Sequence, residues 1–586
     1  MTSFSNWLSE ILGEAFQKHD MPHDLGRVRS SDRPDLAQFQ CNGAMAAAKL
    51  AKKNPREIAQ NIVEDIKGNP AFEKIEIAGP GFININLTKQ ALSDALEDVY
   101  KDARYGVPLY SQGQSVILDY GGPNIAKPMH VGHLRASVIG DSLRRINDFA
   151  GFNALGDVHM GDWGTHMGMI ISEYIKTGRQ DSVMKVDLAS DDEVRQLMED
   201  LNALYPAVSK ACKEDENRLA LALETTLKIQ QKDPEYYTLW EKIREASIIG
   251  MRNNFASLNV HFDLWKGEAD VHDYIEPMVR RLQEKGIACE SEGAIVVHVA
   301  QEDDKKEMPP LILIKRDGAV MYGTTDLATL VERMELFEPV ACIYVVDQRQ
   351  HLHFEQVFRA ARKGGLVPQD VNLVHAGFGT MNGPDGKPFK TRAGGVMRLD
   401  DLINSARDKA FGRMEEADMA KDISKEEKDD IAHKVAIAAL KFADLQNQRH
   451  SDYIFDLERF SSFEGRTGPY MLYQTVRIRS LLNKASRQGD EPGDSFDLED
   501  EDTDLALTLG EYADFFNAAL EHNAPHHLCE FAYKLASAYS SFYGKCHILS
   551  EENTDLKKSR LALSKLTADM LEHVLGLLGI DVPQRM

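Results

Sequence analysis

Two histidines three residues apart, His130 and His133, flank Gly132 in the run Ala126-Lys-Pro-Met-His-Val-Gly-His-Leu-Arg135. Imidazoles at that spacing can donate hydrogen bonds to phosphate oxygens, and the glycine between them leaves the backbone open to a flat base. An i, i+3 pair can also bind a metal or lie as polar surface on a helix. A structural zinc site needs about four ligands, and no pair of cysteines lies nearby to complete one. Far down the chain, Gly383-Pro-Asp-Gly-Lys387-Pro-Phe-Lys390-Thr-Arg392-Ala-Gly-Gly395 sets three cations between glycines. Ammonium groups on such a loop can close over a polyphosphate and neutralise charge as a bond to phosphorus breaks. A solvated basic turn is the alternative for this loop alone; the two motifs together favour phosphate chemistry.

The elements around the histidines must place them at the edge of a sheet. Val116 to Tyr120 reads as a buried strand, and Leu134 to Phe149 carries apolar residues at helical spacing. A strand-to-helix crossover presents backbone N–H groups and the positive end of a helix at the C-terminal edge of a parallel sheet, a setting that suits an anion.

The chain has 586 residues, 43% hydrophobic and 27% charged, with a formal net charge of −24. Length alone suggests about four domains, and the composition is that of a folded soluble protein. No apolar run reaches the roughly 18 residues of a membrane span, and the N-terminus lacks a basic start and an apolar signal core, so a cytoplasmic location is expected. Six cysteines at 41, 212, 289, 342, 529 and 546 form no C-x-x-C pair, so neither a disulfide framework nor a zinc ribbon is indicated. The negative charge opposes non-specific nucleic-acid binding, although basic residues gathered on one face would still allow it.

Three regions follow along the chain. Residues 1–110 read as a small α/β module, with helical patterns at 4–18 and 42–66 and two strands joined at Gly79-Pro-Gly81. Residues 111–404 alternate strand and helix, with strand candidates at 294–299, 311–314, 341–346 and 373–376 whose Val- and Ile-rich runs suit a parallel sheet. A charged helical insertion occupies about 183–258. Residues 405–586 are almost wholly helical in pattern and read as a bundle.

On these residues the chain resembles class I aminoacyl-tRNA synthetases. His130-Val-Gly-His133 is similar to their His-Ile-Gly-His signature, and Lys387-Pro-Phe-Lys390-Thr391 to their Lys-Met-Ser-Lys-Ser loop. Longer strings resemble the arginyl family within the class: Pro123-Asn124-Ile-Ala-Lys127, Gly161-Asp-Trp-Gly-Thr165, Ser462-Phe-Glu-Gly465, Gly79-Pro-Gly-Phe-Ile-Asn-Ile85 and Val582-Pro-Gln-Arg-Met586. The resemblance spans essentially the whole chain. It implies an α/β, Rossmann-type parallel-sheet catalytic domain with a helical insertion, a small α/β N-terminal domain that touches the tRNA elbow, and an all-α C-terminal bundle that binds the anticodon.

The implied reaction has two steps. The carboxylate of L-arginine attacks the α-phosphorus of ATP, supplied with Mg²⁺, and the terminal adenosine of the cognate tRNA then takes the arginyl group, first on its 2′-OH. Orientation and charge neutralisation do most of the lowering of the barrier, so the resemblance makes His130, His133, Lys387 and Lys390 electrostatic stabilisers, with no side-chain nucleophile and no protein-ligated metal. It assigns Asp119, Asn124, Tyr322, Asp326 and Gln350 to arginine, and Gly132 and Asp347 to ATP. A planar cation with five donors suits a carboxylate and an aromatic wall; Asp326 could also cap a helix beginning near Leu327.

For tRNA, Phe39 and Asn42 are expected to stack on and hydrogen-bond an extruded base, with Phe39 as a core residue the alternative. Tyr470, Tyr473 and Arg477 share a helical face suited to bases and phosphates, or to aromatic packing. A monomer without membrane contact is expected. The chain departs from the family pattern at Gly121-Gly122, where two serines are frequent, at His166, where glutamine is frequent, and at Pro388-Phe389 within the loop. None of these removes a motif histidine or lysine. The competing readings are another class I synthetase such as the cysteinyl or glutamyl type, a non-catalytic tRNA-binding relative, and a nucleotidyltransferase acting on a small molecule.

Overall fold

A run of apolar residues buried on both faces, Ser115–Asp119 (β1), forms the middle of a parallel sheet with Asn153–Asp157 (β2), Ala341–Tyr344 (β3) and Asn372–His375 (β4) in the order β4-β3-β1-β2. The register sets Tyr344 beside Asp119 and Asp119 beside Asp157, so three strand ends form one row at the C-terminal edge. The helix Leu134–Phe149 (α1) coincides with its apolar periodicity and is buried along most of its length. The computed structural model describes residues 3–33, 35–316, 318–387, 389, 397–416 and 423–586.

Two of the four later strand candidates lie elsewhere than the parallel sheet. Ala294–Val297 and Leu311–Ile314 pair antiparallel with each other, and Ala288–Ser291 completes a separate three-stranded sheet. A short apolar run fits either pairing; the alternation of buried Leu311 and Leu313 with Ile312, 40% exposed, marks a strand with one wet face. The insertion is helical throughout: Gln180–Met184, Asp191–Glu214, Glu216–Gln230 and Pro234–Ser257 (α2).

This sheet-bearing unit comprises residues 111–410 and 443–460. The second segment joins it because Arg135, buried on α1, donates to the carbonyls of Gly379 and Ser451 at 2.7 and 3.0 Å and pairs with Asp444 at 3.1 Å. The other unit comprises residues 1–110, 411–442 and 461–586. Its N-terminal part is a four-stranded antiparallel sheet with helices. The helical pattern at 42–66 divides into Gly43–Ala51 and Pro55–Ile66, because Lys52 turns left-handed and Asn54 caps a second helix that starts on proline. Its C-terminal part is a set of packed helices, as the sequence pattern indicates. Among the described residues, no helix is long and apolar enough to cross a membrane.

Candidate active site

After β1 the chain turns through Gly121 and Gly122, whose φ values of +86° and +50° strain any other residue, so glycine suits both positions. Asn124, exposed, then bridges to Gly161, and the chain reaches His130 in an extended conformation. His130 Nδ1 accepts the N–H of Gly132, and His133 Nδ1 accepts the N–H of His130, each at 3.1 Å; the rings lie 4.1 Å apart. With both Nδ1 atoms used as acceptors, the hydrogen of each neutral ring sits on Nε2. Burial lowers the pKa of both rings, that of His133 to about 3. The pair therefore presents two neutral Nε2–H donors. A Cβ on Gly132 would lie 2.7 Å from the His130 ring, so the glycine makes room for that neighbouring side chain.

The row of strand ends is held from an unexpected direction. Arg333, on the helix Tyr322–Phe337 (α3), is 1% exposed, and its Nη2 donates to Asp119 at 2.6 Å and to Asp157 at 2.7 Å while the guanidinium lies over Tyr344. Asp119 is only 8% exposed. Its carboxylate, expected to contact arginine, forms an internal ion pair with Arg333 through Oδ2, which satisfies a charge that would be costly to bury unpaired. Among the described residues, Asp119, Asp157 and His159 have ligand atoms within 4.8 Å of one another, but Arg333 already supplies the cation they need.

The remaining candidates gather around the start of α3. Tyr322 opens the helix and is 70% exposed. Met321 is the capping residue and Asp326 lies within the helix, so the capping alternative for Asp326 does not hold. Asp326 Oδ2 is instead 2.5 Å from Nε2 of His353, and this hydrogen bond raises the pKa of the imidazole. Glu268, half-buried on the turn Glu268–Val271, lies close enough to Tyr322 and Asp326 to interact with both electrostatically. Burial pushes its pKa up to about 7, although the N–H of Trp163 donates to it. Gln350 is exposed beyond the end of β3. Asp347 precedes it and is held by Arg349 through two hydrogen bonds at 2.6 and 2.9 Å, which keep its carboxyl below the usual range although burial acts the other way. Sequence reasoning missed Glu268, Arg333 and His353. Only His353 had a local signal, its i, i+3 spacing from Gln350.

Lys387 is exposed on a turn in which Gly383 donates to the Lys387 carbonyl at 2.8 Å. Lys390 lies outside the described residues. The chain returns from this loop to the histidines: Val131 donates to the Met397 carbonyl at 3.1 Å, and His130 bridges to Arg398. His166 is half-buried, with an Nε2 that has no protein partner.

In the other unit, Phe39 is 1% exposed and packs edge-on against Phe4, so it belongs to the core and its expected stacking on a base is corrected. Asn42 keeps a buried Oδ1 without a protein partner. Tyr473 and Arg477 line a groove of about 650 Å³ with Lys484, Arg487, Tyr543 and Arg585, and the Arg477 guanidinium lies 4.6 Å from the Tyr543 ring centre. Tyr470 stands outside that lining, half-buried and near Tyr533.

Comparison with known proteins agrees with this layout. A model described as "tRNA synthetases class I (R), catalytic domain" matches residues 96–457, one for the "Arginyl tRNA synthetase N terminal domain" matches 3–87, and a "DALR anticodon binding domain" matches 471–586. The chain is 46% identical to an arginine–tRNA ligase of Maricaulis maris and 46% identical to one of Hyphomonas neptunium, over the full length of each. The solved arginyl-tRNA synthetase of Plasmodium falciparum superposes with a TM-score of 0.80 at 26% identity, with all of both chains covered.

Proposed function

The chain belongs to the class I arginyl-tRNA synthetases and ligates L-arginine to its tRNA with ATP, through an arginyl-adenylate; from that premise we propose how its residues divide the work. His130 and His133 donate from Nε2 to phosphate oxygens of ATP, which enters as its Mg²⁺ complex, and Gly132 leaves the backbone beside them open to the adenine. Lys387 and Lys390 neutralise the charge that develops on the departing pyrophosphate. Asp347 accepts from the ribose, with Arg349 fixing its orientation.

Arginine is read by Tyr322, Asp326 and Glu268 at its guanidinium and by Asn124 and Gln350 at its α-carbon end. Asp119 supports this pocket from beneath, through Arg333. The observation that carries the reading is that Glu268 lies within electrostatic reach of both Tyr322, at the head of α3, and Asp326, one turn further along the same helix. Such a cradle matches a planar cation with five donors.

For tRNA, residues 1–110 face the elbow with Asn42, and residues 405–586 bind the anticodon along the groove of Tyr473 and Arg477, with Tyr470 at its margin; residues 111–404 hold the chemistry. The substrates place the enzyme in the cytoplasm. One chain carries both ATP motifs, so a monomer suffices. Charging total tRNA with each amino acid in turn, using wild type, E268Q and D326N, tests the reading. Arginine alone is charged, ATP–pyrophosphate exchange requires tRNA, and both variants raise the arginine KM with little change in that for ATP. Exchange at an undiminished rate without tRNA defeats the tRNA requirement, and an unchanged arginine KM in both variants defeats the cradle.

A further inference from the structure

The last helix of the insertion, α2, reaches two separate parts of the site from one of its faces. Ser247, fully buried, accepts the N–H of Ala126 at 3.0 Å while donating to Ile243 within its own helix. Ala126 has a φ of +56°, a conformation that L residues with a side chain avoid, and it begins the run that ends at His130. One turn earlier on α2, Arg244 donates to Asp162 at 2.7 Å and to Asp270 at 2.5 Å. Asp162 in turn accepts the N–H of Ala269 at 2.9 Å, and Asp270 that of Gly267 at 2.8 Å. These bonds bracket the turn that carries Glu268. Trp240, a further turn back, donates to the Asp162 carbonyl at 2.8 Å. Residues 240, 244 and 247 fall on one helical face.

We propose that α2 is a positioning strut for arginine activation, in which Ser247 holds the approach to His130 and Arg244 holds the turn bearing Glu268. The inference rests on the roles given above to His130 and Glu268. It assigns the insertion a task inside the reaction centre, and the Gly161-Asp-Trp-Gly164 string the task of joining that strut to the arginine cradle. Neither Ser247 nor Arg244 touches substrate in this account; each acts through the backbone it fixes.

The two halves of the strut have different kinetic signatures in the full-length enzyme. S247A lowers kcat about tenfold with the arginine KM changed by less than about twofold, because His130 is misplaced and Glu268 is not. R244Q raises the arginine KM about tenfold and leaves the ATP KM in place. R244K restores thermal stability to near wild type but keeps the raised arginine KM, since one ammonium cannot bridge two carboxylates as the guanidinium fork does. Adding A126G to S247A restores much of kcat, because glycine adopts the left-handed conformation without help. Unchanged kinetics in S247A and R244Q at full folding overturn the proposal, as does a uniform loss in which all parameters follow the melting temperature. E268Q separates the two levels of inference. If it leaves the arginine KM unchanged, the cradle itself fails; if it raises that KM and R244Q does not, the strut alone fails.

Discussion

His353 Nε2 lies 2.5 Å from Asp326 Oδ2, so the carboxylate proposed to read the guanidinium of arginine is already gripped on one oxygen from the neighbouring helix. The grip fixes the other oxygen in place and reduces the conformations that arginine must select. Replacing His353 with phenylalanine removes the donor, and the arginine KM rises about tenfold with a smaller change in kcat. Steady-state aminoacylation at varied arginine measures the split, and H353Q, which keeps a donor, recovers part of the loss. An equal fall in kcat and kcat/KM, with KM unchanged, contradicts a positioning role.

The charge of the cradle depends on pH. Glu268, pushed up to about 7 by burial, holds its proton over part of the neutral range, and His353 holds its own to higher pH than usual because of Asp326. A bound guanidinium favours the deprotonated form of both, so arginine binding releases protons. The arginine KM therefore falls as pH rises from about 6 to about 8 and levels off above that. E268Q removes the lower part of this dependence. Calorimetry in buffers of different ionisation enthalpy counts the protons, and proton uptake on binding would reverse the sign.

Arg333 is charge-paired where water does not reach. R333M leaves Asp119 and Asp157 facing each other in the interior, at a cost of about 3–5 kcal/mol in unfolding free energy. Denaturant unfolding reads this directly. D119N in the R333M background recovers part of the loss by removing one of the two unpaired charges.

Gly132 is exposed on one side and meets the His130 ring on the other, and the exposed side is the one proposed to take the adenine. G132A drives a methyl group into that ring, and kcat falls about 10- to 100-fold while the melting temperature changes little, since the site is exposed. A full-length variant that melts several degrees lower would show that the glycine serves folding instead.

The groove of the helical unit carries an independent prediction. R477E combined with R487E raises the tRNA KM about tenfold and weakens its dependence on salt, while the arginine KM at saturating tRNA stays unchanged. F39L costs stability and leaves the tRNA KM unchanged, because that ring packs on Phe4. A selective effect of F39L on tRNA would restore the base-stacking role.

Several elements were legible in the sequence because their causes are local. The strand at Ser115–Asp119 and the helix at Leu134–Phe149 follow from the periodicity of their apolar residues, and the two-histidine turn between them follows from residue type and spacing. The pattern could not say that Ala294–Val297 and Leu311–Ile314 leave the parallel sheet, since short apolar runs pair in either direction.

By itself, then, the sequence determined the family, the place of its two motifs at His130 and Lys387, and the helical character of the insertion and the C-terminal third. Only the tertiary structure decided that both histidines use Nδ1 as an acceptor, that Asp119 pairs with Arg333, that Phe39 is core, and that Glu268 lies near Tyr322 and Asp326. The physical reason is that secondary structure answers to neighbours along the chain. Protonation and ion pairing answer to neighbours in space: Arg333 reaches the strand ends only once α3 has packed, and Glu268 meets Tyr322 and Asp326 only across the fold.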